Sequence, residues 1–287
     1  MKQLVVISGK GGTGKTSVTA ALAGVGPAKV LADCDVDAAD LHLVLHPEIK
    51  TRRPFVSGEQ PRIDNELCTR CGLCQEHCRF GAVSDEFEIL PEHCEGCGVC
   101  AYVCPAQAVS MTPRVCGEQY QSETRFGPMI HAALGIGEEN SGKLVTSVRR
   151  EAKALAEERG LGLVLVDGSP GVGCPVIASL TDADLAVLVA EPTISAVHDL
   201  KRVHRLTRHF RMPSALLINK SGLNEAMERE LVTYSDSEGI PVLGKLPYDQ
   251  IFTKAQIAGQ SILEYDPQGL GKTIPEIWER LEALLTD

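Results

Sequence analysis

Short apolar runs separated by longer amphipathic stretches dominate the hydrophobic pattern of this chain. We interpret the apolar runs as strands buried on both faces, at 3–8, 28–33, 161–167, 184–191, 214–220 and 240–247. Helix-like stretches separate them, at 15–24, 146–159, 197–209 and 224–238. Alternation of strand and helix with short connections predicts an α/β fold, in which a mostly parallel sheet carries helices on both faces.

The pattern breaks between residues 57 and 112, where cysteines, glycines, prolines and turns replace any long periodic segment. This stretch repeats itself 26 residues further along, so that Cys68, Cys71, Gly72, Cys74, Cys78, Ala82, Val83 and Ser84 match Cys94, Cys97, Gly98, Cys100, Cys104, Ala108, Val109 and Ser110. Each half is too small to form a core by itself. We therefore predict a small α+β domain at 57–112, inserted directly after the second strand of an α/β domain made of 1–56 and 113–287.

Composition and charge narrow the class of protein. The 287 residues are 44% hydrophobic and 23% charged, which is typical of a globular chain. Lys and Arg number 28 against 38 Asp and Glu, and the net charge of −10 argues against a general binder of nucleic acid or anionic membranes. No run approaches the roughly 18 apolar residues of a spanning helix, and the first residues do not resemble a signal peptide. Eleven cysteines without an export signal favour the cytoplasm, where they bind metal or do chemistry.

The sequence GKGGTGKT at 9–16 matches the phosphate-binding pattern G-x-x-x-x-G-K-[ST]. It lies between a predicted strand and a predicted helix, which is the context that the motif requires. Backbone N–H groups and the helix N-terminus attract phosphate there, Lys15 would neutralise the β- and γ-phosphates, and Thr16 would offer a hydroxyl to Mg²⁺. The expected nucleotide contacts in the loop are Gly11, Gly12, Thr13, Gly14, Lys15, Thr16 and Ser17.

Carboxylates near the ends of two predicted strands complete this candidate site. Asp167 ends one buried strand and Asp35 closely follows another. A carboxylate in that position beside a phosphate loop is well placed for Mg²⁺. Only one carboxylate is needed near the attacking water, so one or more of Asp33, Asp35, Asp37 and Asp40 could instead belong to a solvated acidic turn.

A second lysine, Lys10, makes the loop similar to the deviant Walker A motif of the MinD/ParA/Mrp superfamily of P-loop ATPases, which includes the nitrogenase iron protein. In that family the matching lysine reaches the partner's nucleotide across a dimer interface. The resemblance therefore implies an ATP-dependent homodimer, or a heterodimer with a related ATPase. It also implies the following roles: Lys10, Lys15 and Asp35 in catalysis, Thr16, Asp35 and Asp167 at Mg²⁺, and Asn219, Lys220 and Pro247 in nucleotide binding, with Asn219 at the adenine edge.

Each half of the internal repeat carries C-x₂-C-x₂-C-x₃-C, the spacing of bacterial two-cluster ferredoxins, in which the fourth cysteine of each run reaches the other cluster. We predict two [4Fe–4S] clusters, one on Cys68, Cys71, Cys74 and Cys104 and the other on Cys94, Cys97, Cys100 and Cys78. Structural zinc is the main alternative, but zinc sites use cysteine pairs, and a third and fourth cysteine would be superfluous. Outside the repeat, Cys174 is expected to be a small buried cysteine, while a further metal site involving Cys174 or Cys116 stays open.

The whole chain resembles MinD-superfamily ATPases that contain an inserted bacterial-ferredoxin-like domain, through stretches such as ENSGKLVTSVRREA (139–152) and GVGCPVIASLTDADLAVLVAEPT (171–193). The resemblance implies coupling of ATP turnover to redox or metal-cofactor handling, with a partner protein of that kind. Our first hypothesis is a cytoplasmic dimeric ATPase whose nucleotide state gates electron transfer. The alternatives are an Mrp-like carrier of iron–sulfur or mixed-metal clusters, and a positioning switch of the MinD/ParA kind. The switch predicts DNA or membrane binding, which the net charge counts against.

Overall fold

The computed structural model describes residues 1–135, 138 and 141–286, and within them the chain divides into two compact units. We call the first the sheet unit; it comprises Met1–Arg53, Glu118–Leu134 and Ser141–Asp287. The second, the cysteine-rich unit, comprises Pro54–Gly117 and Gly135–Asn140.

The strands of the described residues form a nine-stranded sheet in the order β3-β4-β5-β2-β6-β1-β7-β8-β9. Their bounds are β1 Lys2–Ser8, β2 Val30–Asp33, β3 Glu48–Ile63, β4 Val109–Thr124, β5 Gly127–Leu134, β6 Leu163–Pro170, β7 Leu185–Ala190, β8 Ser214–Ser221 and β9 Val242–Pro247. Every neighbouring pair from β5 to β9 in that order is parallel. Only Arg125 and Phe126 connect β4 to β5, too few residues for a parallel crossover, so these two strands form a hairpin.

Helices cover both faces of the parallel part of the sheet. Their bounds are α1 Lys15–Ala23, α2 Leu41–Leu45, α3 Leu73–Glu76, α4 Val99–Tyr102, α5 Ser141–Glu158, α6 Cys174–Leu180, α7 Ile194–His209, α8 Glu225–Glu238, α9 Ile251–Ile257, α10 Ile262–Tyr265 and α11 Thr273–Thr286. Alternate strand residues such as Leu4 and Val6 pack with α1, α2 and α11, while Val5 and Ile7 are equally buried on the opposite face, beneath α5, α6 and α7. The predicted α/β architecture is confirmed.

The hydrophobic pattern did not predict three of the nine strands of the described residues. β3, β4 and β5 were not predicted, and two of them enter the 57–112 stretch at its ends, since β3 continues to Ile63 and β4 begins at Val109. Most residues of β3 are exposed, so the strand lacks the apolar run or clean alternation on which such a prediction depends. The expectation that the insertion directly follows the second strand is wrong, since α2 and the start of β3 come between.

None of the helices among the described residues combines the length and the apolar character needed to cross a bilayer.

His131 on β5 is a buried histidine of the sheet unit. Its Nε2 lies 2.8 Å from Ser122 Oγ, and its ring stacks on those of Tyr120 and His42, with centroid distances of 4.9 and 6.4 Å. Burial, with a smaller contribution from the charge of His42, lowers the pKa of His131 to about 4. The imidazole is therefore neutral in the folded protein at pH 7.

We expect His131 to make the folded protein less stable as the pH falls from 7 to 5. A histidine in the unfolded chain has a pKa near 6.5, so protons bind the unfolded state first, and stability is lost between that pH and the folded pKa of about 4. The contribution at pH 5 is about 2 kcal/mol, measured as the free energy of unfolding in urea. His131→Gln should lose that much less stability on acidification than the wild type. The exposed His198→Gln variant is the control, and equal pH profiles for His131→Gln and wild type would contradict the assignment.

Candidate functional site

The loop between β1 and α1 forms one wall of a cleft of about 530 Å³, a size typical of small-molecule sites. Gly12 and Gly14 have φ angles of 79° and 88°, which favour glycine. A side chain at Gly14 would also collide with the amide of Asn219, so the loop passes close to β8. All seven loop residues expected to contact nucleotide line the cleft: Gly11, Gly12, Thr13, Gly14, Lys15, Thr16 and Ser17.

Lys15, at the start of α1, lies in a buried cluster of charges. Its Nζ is 2.9 Å from Asp167 Oδ1 and 3.3 Å from Asp35 Oδ2. Asp167 also accepts hydrogen bonds from the hydroxyls of Thr16 (2.8 Å) and Thr19 (2.9 Å). Burial works to lower the pKa of Lys15, but the carboxylates of Asp167 and Asp35 outweigh it, and the pKa is raised. The structure thus brings Lys15 together with the three predicted Mg²⁺ ligands, Thr16, Asp35 and Asp167.

The acidic residues after β2 differ in their surroundings. Asp33 is fully buried; its Oδ1 accepts the N–H of Asp35 at 3.1 Å, whereas its Oδ2 has no protein partner. Burial raises the pKa of Asp33 well above its usual range, so a solvated turn is the wrong interpretation for this residue. Asp37 and Asp40 are exposed, as a solvated turn would be. Asp35 is half-buried, and burial raises its pKa despite the nearby Lys15.

The residues present fit Mg²⁺ delivered with a nucleotide. Mg²⁺ prefers oxygen ligands and is usually bound by one or two carboxylates together with substrate phosphates and water. The carboxylates of Asp35 and Asp167, which both contact Lys15 Nζ, and the hydroxyl of Thr16, which donates to Asp167, supply such a set. A metal bound there would therefore be completed by the phosphates that the adjacent loop is shaped to hold.

Lys10 forms a second charged group, away from the Asp167 cluster. Its Nζ lies 2.7 Å from Glu191 Oε1 and 3.0 Å from Ser195 Oγ. The other oxygen of Glu191 is 2.7 Å from Nζ of Lys220, which also donates to Gly12 O at 2.7 Å. Burial works to raise the pKa of Glu191, but hydrogen bonds from the two lysines outweigh it and lower the pKa. Glu191 is not predictable from the sequence, because a single glutamate after a strand belongs to no motif.

Asn219, Lys220 and Pro247 all line the cleft, at the ends of β8 and β9. Asn219 Nδ2 donates to Thr13 O at 2.7 Å and so supports the phosphate loop. Its contact with an adenine stays a prediction. Gln256 on α9 also lines the cleft and donates to Ser17 Oγ at 2.7 Å. No local pattern in the sequence pointed to Gln256.

The two halves of the cysteine-rich unit repeat the same backbone conformation. Gly72 and Gly98, with φ of 81° and 73°, precede the one-turn helices α3 and α4. The left-handed conformation at both positions explains the two matched glycines of the repeat. An equivalent backbone-to-sulfur hydrogen bond of 3.3 Å occurs in each half: from Ala82 N to Cys78 Sγ and from Ala108 N to Cys104 Sγ.

Two cavities among the described residues of this unit are each lined by four cysteines. Four of the residues that line one cavity are Cys68, Cys71, Cys74 and Cys104, and four that line the other are Cys78, Cys94, Cys97 and Cys100. Each cavity takes three cysteines from one half and the fourth from the other, which is the grouping that the spacing predicts. In the described part of the chain, no three Cys, His, Asp or Glu side chains converge on a single-ion site.

The two cysteines Cys116 and Cys174 have different surroundings. Cys116 is buried, and its Sγ donates to Ser57 O at 3.0 Å. Burial raises the pKa of this thiol, which is typical of a structural cysteine. Cys174 at the start of α6 is exposed, so the expectation of a small buried cysteine is wrong there. A metal site at Cys174 stays a prediction.

Comparison with known proteins places the chain among nucleotide-binding domains. The family model described as the CobQ/CobB/MinD/ParA nucleotide binding domain matches residues 4–262. The chain belongs to this family. The family includes the MinD and ParA P-loop ATPases, and this assignment agrees with the phosphate loop, the oxygen ligands and the parallel sheet.

Relatives of this family member include an uncharacterised protein of Methanocaldococcus jannaschii, 33% identical over 287 residues, with 99% of this chain and 97% of the relative covered. The putative septum site-determining protein MinD of Nephroselmis olivacea is 24% identical, with 86% of this chain and 74% of the relative covered.

Solved structures similar to this chain include the septum site-determining protein MinD of Pyrococcus horikoshii complexed with Mg-ADP, with TM-score 0.60, 19% identity, and 99% and 96% of the two chains covered. The cell division ATPase MinD of Pyrococcus furiosus has a TM-score of 0.59 and 21% sequence identity, with 99% of each chain covered. At these identities the likeness shows the fold alone, an α/β P-loop NTPase with a mostly parallel sheet.

We expect Asp167→Asn to destabilise the nucleotide-free protein. The substitution leaves Lys15 buried with Asp35 as its remaining close carboxylate, and breaking a buried ion pair costs about 3 kcal/mol. Urea unfolding without nucleotide measures the loss, and the exposed Asp37→Asn variant is the matched control. Equal stabilities for the two variants would show that the ion pair contributes nothing to folding.

Proposed function

We propose that this protein is an ATPase whose nucleotide state controls electron transfer through two [4Fe–4S] clusters to a partner protein. One observation carries the proposal: a single chain contains the phosphate loop and acidic cluster of a MinD/ParA-type ATPase and also two cavities lined by four cysteines each. Nucleotide chemistry and electron transfer are the activities that these two residue sets support separately. Their presence in one chain favours coupling between them.

The four cysteines that line each cavity match a [4Fe–4S] cluster in ligand type and number. A [4Fe–4S] cube binds four cysteine thiolates, and the repeated C-x₂-C-x₂-C-x₃-C spacing favours a cube over structural zinc, which uses cysteine pairs. Backbone N–H groups already donate to Cys78 and Cys104, and such bonds stabilise the negative charge of ligating sulfurs. When bound, the clusters would supply one-electron transfer.

On the nucleotide side, this chain's residues would bind phosphate and hold a water in place. Lys15 and the N-terminus of α1 would hold the β- and γ-phosphates, with Thr16 and Asp167 at Mg²⁺. Asp35 lies at the cleft, and burial raises its pKa, which brings this carboxylate closer to the working pH of a base. We infer that Asp35 orients the attacking water.

We infer that the active form is a dimer, either of two copies or with a related ATPase, in which Lys10 reaches the partner's nucleotide. In the single chain Lys10 is bound to Glu191, Thr193 and Ser195. Formation of the dimer would therefore have to replace these contacts of Lys10 with contacts to the phosphates of the partner's nucleotide. The partner that we propose for the clusters is a redox or cofactor-assembly protein in the cytoplasm.

Paired cysteine substitutions test both the clusters and their crossed ligation. After anaerobic reconstitution, the wild type should hold about eight irons per chain. Cys78→Ser with Cys94→Ser removes two ligands from one cavity, so about four irons should remain. Cys78→Ser with Cys68→Ser removes one ligand from each cavity and should damage both clusters.

Iron analysis and electron paramagnetic resonance after reduction provide the measurement, and the exposed Cys174→Ser variant is the control that should keep the full iron content. The reverse result for the two double variants would show that each half binds its own cluster. A wild type without iron would disprove the electron-transfer proposal.

Coupling is tested by the rate at which a chemical reductant reduces the clusters, with and without Mg-ATP. We expect ATP to change this rate in the wild type and not in Lys15→Ala, whose ATP hydrolysis should fall by about 10²-fold or more. Lys10→Ala should keep ATP binding but lose hydrolysis, because Lys10 is proposed to act only across the dimer. Identical reduction rates with and without ATP in the wild type would exclude coupling.

A cluster carrier is a second candidate, because Cys71 and Cys97, which occupy matching places in the repeat, are exposed. Exposed ligands give an acceptor protein access to a cluster. This function predicts that iron moves to an apo-protein acceptor, whereas clusters that stay on the chain through ATP turnover favour electron transfer.

A further inference from the structure

Arg125, in the connection between β4 and β5, joins several segments of the sheet unit. Its guanidinium donates to Val44 O (2.9 Å) and Leu45 O (2.8 Å) at the end of α2. These carbonyls belong to the last turn of a helix, where partners within the helix are lacking. The same group donates to Gly259 O at 3.2 Å and to Glu264 Oε2 at 2.8 Å. Arg125 thus connects the β4–β5 turn to α2 and to the stretch from α9 to α10.

Both of those segments continue into walls of the nucleotide cleft. α2 directly follows the acidic stretch in which Asp35 and Asp40 line the cleft. The stretch from α9 to α10 contributes Gln256 and Ile262 to the lining of the same cleft. Gln256 is bonded directly to Ser17 of α1. A nucleotide that moved either of these segments would therefore displace groups that accept hydrogen bonds from Arg125.

The groups around Arg125 are themselves firmly held. Glu264 accepts hydrogen bonds from the N–H and the hydroxyl of Ser261, both 2.9 Å, and so caps α10. Burial works to raise the pKa of Glu264, but the bonds from Arg125 and Ser261 outweigh it and lower the pKa, which keeps the carboxylate charged. Gly259 packs so closely on the ring of His46, at the end of α2, that a side chain there would collide with it.

We propose that Arg125 is a positioning residue that transmits nucleotide-dependent movement of both cleft walls to β4. That strand ends at Thr124, one residue before Arg125, and its other end, Val109, lies in the cysteine-rich unit. Charge-assisted bonds to a carboxylate and to carbonyls are strong and directional, so displacement of either wall strains or breaks them. The inference rests on the proposed nucleotide binding but does not require bound clusters.

Hydrogen exchange of the full chain, with and without saturating Mg-ADP, tests this role. In the wild type we expect Mg-ADP to slow exchange at 41–46, at 251–264 and at 118–124 by at least about threefold. In Arg125→Met the two cleft segments should still respond, while the response at 118–124 should fall below about a third of the wild-type value. Methionine keeps an apolar side chain over Phe126, whose ring lies 4.9 Å from the guanidinium.

The matched control is Arg159→Met. Arg159 follows the end of α5 and donates a hydrogen bond to Glu123 of β4. It is not part of the Arg125 contacts, so its loss should leave the nucleotide response at 118–124 intact. Glu264→Gln provides a milder second variant, which keeps Arg125 but weakens its anchor, and its response at 118–124 should lie between those of wild type and Arg125→Met.

An unchanged response at 118–124 in Arg125→Met and Glu264→Gln would overturn the inference. The inference would also be overturned if Mg-ADP slowed exchange in the wild type at 41–46 and 251–264 but not at 118–124. If calorimetry detects no ADP binding and no segment responds, the proposed function fails together with the inference, and this outcome is distinct from the other two.

Discussion

The buried ion pair between Lys15 and Asp167 is the interaction on which the arrangement of the nucleotide site depends. Parallel pairing of β2 with β6 places Asp33 opposite Asp167, at the edge where the strands end. Carboxylates brought together in this way repel one another, and removing charge from water is costly. The ammonium of Lys15 offsets both costs, and it can do so because α1 begins directly after the phosphate loop. Helix, loop and two strands are thus positioned by the same few charges.

Burial on both faces explains why much of the sheet could be predicted from the sequence. β1, β6, β7 and β8 each contain a continuous run of buried apolar residues, without the alternation of a half-exposed strand. β3 was not predictable in this way, because mostly exposed residues carry no hydrophobic signal and the strand is held by its backbone pairing. Local spacing identified the phosphate loop and the cysteines, since their chemistry requires neighbours in sequence.

Other site residues could not be found from the sequence, because their partners are distant along the chain. Glu191 gains its importance from Lys10 and Lys220, and Gln256 from Ser17. Such side chains are ordinary in their local context, and only the folded chain brings their partners within bonding distance. The same holds for Asp33, whose burial is set by the strand register and not by its acidic neighbours in sequence.

The sharing of Glu191 has a consequence for how fast a nucleotide would arrive. One carboxylate forms salt bridges with two lysines, so the group of Lys10, Glu191 and Lys220 keeps one positive charge, on a chain whose net charge is −10. Polyphosphate approaching an acidic protein is repelled at long range, and a local cationic region redirects it toward the loop. Because salt screens both effects over about 10 Å at 0.1 M, ionic strength governs the balance between repulsion and capture during association.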